Sequence, residues 1–336
     1  MTPPRIAIYG AGMIGNYLGG RLHKQARIRF IARPHVATML RTHGLGVSDL
    51  HGYKQHITPD MLDLRIHPDA VRDADLVLVT VKSAATMDVA HELAEVLPTE
   101  TPVISFQNGV RNTAELRAAL PKHCVLAGMV PFNVSQPDTA HFHQGSSGEL
   151  IVERSEALKP FADIFAASGM PLQQQEDMQA VLWAKLLINL NNPLNALSGL
   201  PLREQLAQRP WRQCLALLQR EGLRVLDVAG IRPAQITTLP ARWLPKVLSL
   251  PDALFQRIAA RMLAIDPLAR SSTWDDLQAA RRTEVDYING EIVALAASKK
   301  MQAPANARIV ALIREAEQSY APWHGQALLR ELMDAR

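Results

Sequence analysis

Ile6-Ala7-Ile8-Tyr9-Gly10-Ala11-Gly12-Met13-Ile14-Gly15 opens the chain with a short apolar run followed by glycines at G-x-G-x-x-G spacing. The run reads as a buried strand, and Met13 to His23 carries a helical pattern. A glycine turn between a strand and a helix is the context in which this motif binds a dinucleotide. The first glycine makes the tight turn, the second lets the backbone approach a pyrophosphate, and the third allows close helix–strand packing. The helix N-terminus adds unpaired amides and partial positive charge for the phosphates. Gly10, Ala11, Gly12, Met13, Ile14 and Gly15 are therefore the expected cofactor turn. The plainer alternative is a tight turn that holds nothing.

The segments beyond it continue the same alternation. Arg27 to Ala32 reads as a second strand. Asp75-Leu76-Val77-Leu78-Val79-Thr80-Val81-Lys82 is a continuous valine-rich run, as expected for a strand covered on both faces. Pro102–Phe106, Val125–Val130 and Gly148–Glu153 are further strand candidates. Strands alternating with helices predict an α/β domain of Rossmann type with a parallel sheet. In such a domain an Asp or Glu about 20 residues beyond the glycines holds the ribose of NAD. Here that position reads Phe30-Ile31-Ala32-Arg33-Pro34-His35, with no acid. Arg33 suits a 2′-phosphate instead, so NADPH is the expected cofactor. Ligands of an open parallel sheet sit beyond the carboxyl ends of its strands. Val81-Lys82-Ser83 and Gln107-Asn108-Gly109 fall at two such ends. Lys82 places a cation for phosphate or ribose oxygens, and Asn108 an amide near the nicotinamide. A strand-end surface charge and ordinary turn chemistry are the corresponding bland readings.

After about residue 172 long helical patterns dominate, at 176–198, 210–229, 252–263, 274–299 and 304–317. We expect an NADP-binding domain over 1–172 and an all-α substrate domain over 173–336. Two domains suit a chain of 336 residues. A net charge of +4 without a dense basic run gives no sign of a nucleic-acid partner, and no apolar stretch reaches the about 20 residues of a membrane span. Two unpaired cysteines, Cys124 and Cys214, favour a reducing, cytoplasmic setting and argue against a metal site. A homodimer is compatible with the sequence.

Trp183-Ala184-Lys185-Leu186-Leu187-Ile188-Asn189-Leu190-Asn191-Asn192-Pro193 is the stretch with most chemistry in it. Only nine lysines occur in the chain, and this one lies in an apolar helix. Lys185, Asn189 and Asn192 stand at i, i+4 and i+7, on one face. Burying them without partners is costly, so a polar pocket for a small carbonyl or carboxylate compound is the economical reading; a solvent-facing edge is the rival. Pro193 predicts a kink or break, because it cannot donate to the carbonyl of Asn189. Further on, Ser272 reads as a helix cap in Ser-x-x-Asp, and Glu284 as an ion-pair partner of Arg281.

Taken together, the glycine turn, Val81-Lys82-Ser83, Gln107-Asn108-Gly109, Lys185 with its asparagines, Ser271-Ser272 and Arg282-Thr283-Glu284-Val285-Asp286-Tyr287-Ile288-Asn289-Gly290 resemble the ketopantoate reductase family, over nearly the whole chain. The resemblance implies a Rossmann-type domain joined to a helical domain like that of 6-phosphogluconate dehydrogenase, with the active site in the cleft between them. It implies NADPH-dependent reduction of 2-dehydropantoate (ketopantoate) to pantoate, a step of pantothenate biosynthesis. By it, Lys185 is the proton donor and Asn189, Asn192 and Ser272 bind the substrate. Asn108 then lies near both substrate and nicotinamide, Lys82 and Glu284 complete the cofactor site, and Glu284 joins Lys185 as a catalytic residue. A reductase of another 2-keto acid, or an NADPH sensor without catalysis, are the alternatives. Two departures stand out. The family's second helix asparagine usually comes at i+8 from the lysine, and Leu202 stands where some members have another asparagine. If 274–299 formed one straight helix, Ser272 and Glu284 would be about 18 Å apart.

Overall fold

The structure, a computed structural model, describes residues 3–258 and 269–335. The chain divides into two compact units, Met1–Met178 and Gln179–Arg336, later than the 172/173 boundary expected from the sequence.

The first unit runs β1 (Arg5–Tyr9), α1 (Met13–Leu22), β2 (Arg27–Ile31), α2 (Pro34–His43), β3 (Leu45–Asp49), β4 (Lys54–Ile57), β5 (Asp63–Arg65), β6 (Leu76–Val79), α3 (Thr86–Val96), β7 (Val103–Ser105), α4 (Asn112–Ala119), β8 (Val125–Met129), β9 (Val134–Asp138), β10 (His141–Gln144), β11 (Leu150–Glu153), α5 (Lys159–Ala167) and β12 (Leu172–Gln175). Eight strands form one sheet in the order β12-β11-β8-β7-β6-β1-β2-β5. β1 pairs in parallel with both β2 and β6, so the chain turns outward in opposite directions from β1 and creates a topological switch point there. Alternate residues face opposite sides. Ile6, Ile8, Leu76 and Leu78 pack with Tyr17 and Leu18 of α1, whereas Ala7, Tyr9, Val77 and Val79 pack with Val89, Ala90 and Leu93 of α3. Both faces are covered, which is why the strands read as unbroken apolar runs.

Two features escape the expectation of a purely parallel sheet. β11 runs antiparallel to β8. Residues 45–57 and 134–144 build a second sheet, ordered β4-β3-β10-β9. Leu45, Val47, Ile57 and Phe142 of that sheet turn into the core, and their period-2 alternation is the signal in the sequence. The run Leu76–Val79 is therefore the sixth strand in chain order.

The second unit is helical: α6 (Met178–Asn189), α7 (Asn191–Ser198), α8 (Leu202–Ala207), α9 (Arg209–Val228), α10 (Leu244–Leu248), α11 (Asp252–Ile258), α12 (Ser272–Gln278), α13 (Asn289–Ser298), α14 (Pro304–Gln318) and α15 (Gly325–Asp334). The helix expected over 252–263 appears as α11, and its last residues, 259–263, lie outside the described residues. The helix expected over 176–198 is interrupted at Leu190, in the turn before Pro193, where the missing N–H and the ring disturb the ladder. The helix expected over 274–299 is a correction. α12 ends at Gln278, Ala280 takes a left-handed φ of 49°, and a short 3₁₀ turn at Val285–Tyr287 precedes α13. Ser272 and Glu284 thus do not share a straight helix, and the separation of about 18 Å does not apply.

Candidate functional site

Gly10 ends β1 at the switch point with φ +108°, and a Cβ there would stand 2.7 Å from the backbone nitrogen of Val81. Its amide donates to Ile31 O at 3.1 Å, and its carbonyl accepts from Thr80 Oγ at 2.6 Å. The turn is thereby tied to the ends of β2 and β6. Gly15 is equally constrained, since a Cβ would approach Gly10 O to 2.1 Å. Asn16, one residue on, donates from Nδ2 to Ala11 O at 2.8 Å and holds the loop from below. Gly12 differs. It takes φ −84° and ψ −163°, values open to any residue, and a Cβ there would meet no atom within 4 Å. The fold does not need glycine at this exposed position. A ligand resting against the main chain would need it. Gly12 also caps α1 without a side-chain hydrogen bond, as an anion-binding helix start requires. The residues present therefore fit a dinucleotide.

Arg33 is exposed immediately beyond β2, as the residue before α2. Lys82 is exposed beyond β6 and Asn108 half-buried beyond β7, on neighbouring parallel strands. Beneath them lies a buried polar network. Gln107 donates to Val81 O at 3.1 Å and to Thr86 Oγ at 2.8 Å, and accepts from Ser105 Oγ at 2.9 Å. Thr86 in turn donates to Asn112 Oδ1 at 2.8 Å. Asn112 Nδ2 donates to Asn108 O and, at 3.1 Å, to Ser83 Oγ, which donates to Asn108 O at 3.0 Å. Thr86 and Asn112 carry no motif, and their role is invisible in the sequence.

In the second unit Lys185 and Asn189 stand one turn apart on α6 among buried Leu186, Leu187 and Leu190. Asn189 is buried and Lys185 half-buried. Burial disfavours the ammonium and pushes its pKa down to about 8. α7 packs against α12: Ser271 Oγ donates to Asn192 O at 2.9 Å, and Ser271 N to Asn195 Oδ1 at 2.9 Å. Asn195 and Asn191 bond Gln205 of α8 at 3.2 Å and 2.9 Å. Asn192 is half-buried and Ser272 is exposed beside it at the start of α12. The cap of α12 is Ser271, whose hydroxyl accepts from Trp274 N, so Ser272 is spared the capping role that its spacing suggested. Glu284 is half-buried before the 3₁₀ turn. Arg281 pairs with Asp276 at 3.3 Å and Arg282 with Asp286 at 3.5 Å. Asn195 and Gln205 are fully buried; Asn195 extends the asparagine-rich stretch after Lys185, whereas Gln205, in Leu202–Ala207 beside Arg203 and Glu204, carries no local signal in the sequence. Leu202, at the site of some members' asparagine, is a buried core residue.

Comparison with known proteins agrees with this architecture. The family described as "Ketopantoate reductase PanE/ApbA" matches residues 6–156, and its C-terminal counterpart matches residues 177–317. The chain belongs to the ketopantoate reductase family. A 2-dehydropantoate 2-reductase of Halobacterium salinarum is 25% identical over 321 residues, covering 93% of this chain and 99% of that protein. The crystal structure of a PanE/ApbA family ketopantoate reductase from Ralstonia eutropha is 29% identical, with a TM-score of 0.79 over 94% of this chain and 99% of its own. D-mandelate dehydrogenase, solved with NADH and anilino(oxo)acetate, shares the fold at 19% identity, with a TM-score of 0.77 over 94% of this chain and 99% of its own. Among the described residues no helix is long and apolar enough to cross a membrane, and no group of three or more His, Cys, Asp or Glu is arranged to hold a metal.

Proposed function

We propose that the protein reduces ketopantoate to pantoate with NADPH, a reaction of pantothenate and coenzyme A biosynthesis. The observation that carries this reading is Lys185: a cation on an apolar helix, one turn from buried Asn189, with its pKa lowered to about 8. A free lysine titrates near 10.4 and holds its proton too tightly to donate well at neutral pH. At about 8 the ammonium is still populated and is a much better acid.

When bound, the nicotinamide would supply the hydride that adds to the C2 carbonyl carbon. Lys185 donates a hydrogen bond to the C2 carbonyl oxygen, stabilises the negative charge that develops there, and delivers its proton to that oxygen. Asn189, Asn192 and Ser272 orient the keto acid. In the first unit the turn Gly10–Gly15 receives the pyrophosphate, Arg33 the 2′-phosphate and Lys82 the neighbouring oxygens, while Asn108 positions the carboxamide end; Glu284 completes the cofactor site. Apart from Glu284, the residues assigned to the dinucleotide belong to the first unit, and those assigned to the keto acid belong to the second.

A panel of 2-keto acids, followed by loss of nicotinamide absorbance with NADPH and with NADH, tests the reading. Ketopantoate with NADPH should give the highest kcat/KM. Faster turnover of another keto acid would reassign the substrate, and cofactor binding without turnover of any would make the protein a sensor. Arg33→Ala should weaken NADPH by about tenfold, the scale of a charge-assisted phosphate contact, and leave NADH nearly unchanged. Equal use of both cofactors by the unaltered protein would remove Arg33 from cofactor selection.

A further inference from the structure

The loops that carry Lys82 and Asn108 are joined through buried side chains. Asn112 is the hub. It begins α4, is 3% exposed, and donates from one nitrogen to Asn108 O and to Ser83 Oγ. The orientation of its amide is dictated from behind. Gln107 spends its Nε2 donors on Val81 O and Thr86 Oγ, so the Thr86 hydroxyl hydrogen is left for Asn112 Oδ1. With the oxygen so engaged, the amide nitrogen faces the loops. Thr86 is fully buried and Ser83 is 2% exposed, so these bonds form where water cannot replace them.

We propose that Asn112, oriented by Thr86 and Gln107, is a positioning residue that fixes the spacing of Lys82 and Asn108 at the ends of β6 and β7. The inference rests on the proposed role of those two side chains in holding the cofactor. Separate strand ends can drift by small amounts. A shared buried donor locks one loop's carbonyl to the other loop's hydroxyl, and the two cofactor contacts then form together without an ordering cost at binding. Gly109, with φ +90°, lets the second loop turn back sharply enough for Asn108 O to meet that donor.

The test uses the full-length protein. NADPH affinity by nicotinamide fluorescence and the melting temperature are measured for Asn112→Ala in two backgrounds, the unaltered protein and Lys82→Ala/Asn108→Ala. In the unaltered background Asn112→Ala should weaken NADPH about tenfold, the effect of an unsatisfied buried polar group. In the second background that loss of affinity should vanish while the drop in melting temperature persists. An undiminished loss there would show that Asn112 acts on the fold in general and would overturn the inference. If Lys82→Ala/Asn108→Ala itself leaves affinity and turnover unchanged, the cofactor reading of those two residues falls, and the inference falls with it. Should Asn112→Ala not fold, Thr86→Val carries the test, because it removes the hydroxyl at constant shape. Thr86→Ser should restore the affinity that Thr86→Val loses; failure of that rescue would also overturn the inference.

Discussion

Lys185→Ala is expected to lower kcat by at least about a hundredfold while NADPH affinity stays within about twofold of the unaltered protein. General acid catalysis is typically worth 10²–10⁴-fold, and Lys185 is the cation of α6, on the face it shares with Asn189. The pH profile provides a second, independent reading of the same group. Reduction consumes the protonated form, so kcat/KM for the keto acid should be flat below about pH 8 and fall tenfold per unit above it. Oxidation of the hydroxy acid needs the neutral amine and should show the opposite limb, rising toward about pH 8 and then levelling. Burial lowers this pKa, so a limb near the ordinary value of about 10.4 would mean that the side chain is solvated and its surroundings do not tune it. A Lys185→Ala variant with near-normal turnover would exclude it from the chemistry.

Gly12→Ala should separate binding from folding. A Cβ at Gly12 meets no protein atom within 4 Å, and its φ is open to alanine, so the melting temperature should hardly change. The same methyl group occupies the surface on which a pyrophosphate would rest. Overfilling a close contact costs about 1–3 kcal/mol, so NADPH should bind at least about tenfold more weakly. Gly15→Ala is the contrasting case. Its Cβ would collide with Gly10 O at 2.1 Å and with Thr80 Oγ at 2.6 Å, so the first unit itself should be destabilised. On this expectation two glycines three residues apart serve different ends, Gly12 the ligand and Gly15 the packing of the turn. If Gly12→Ala bound NADPH normally, the turn would not be the pyrophosphate site.

How far the sequence reveals this depends on the range over which each residue acts. The glycine turn is a local device: strand, turn and helix follow one another within 18 residues, and Ile6 to His23 shows all three. Lys185 and Asn189 are legible for the same reason, since one helical turn brings them together. The second sheet is harder to see because β3 pairs with β10, nearly a hundred residues later, and no local pattern announces a partner at that distance. Thr86 and Asn112 are harder still. A buried threonine and asparagine look like ordinary helix-start residues, and their meaning lies in Gln107 and Ser83 across two loops. The single long helix expected over 274–299 failed on competing local chemistry. Arg281-Arg282-Thr283-Glu284 continues the periodicity, but Thr283 N and Oγ both bond Glu317, which holds the segment out of a helix.

The interruption at Leu190 bears on how such a chain can change length over evolution. In an unbroken helix, loss of one residue turns everything beyond it by about 100°, because a turn takes 3.6 residues. Every side chain downstream then points elsewhere, and a pocket shared by both halves is lost. Where the ladder is already broken, the same deletion is absorbed at the joint, and the segments on either side keep their own facing. The asparagine after the break stands at i+7 from Lys185, one short of the family's usual spacing. α6 and α7 meet at the place where that shortening does least harm: Lys185 and Asn189 stay in register on one side, while Asn191 and Asn195 keep their bonds to Gln205 on the other. In this chain the joint lets the two segments keep their facing independently, so a one-residue change of length there would leave Lys185 and Asn189 in register on α6.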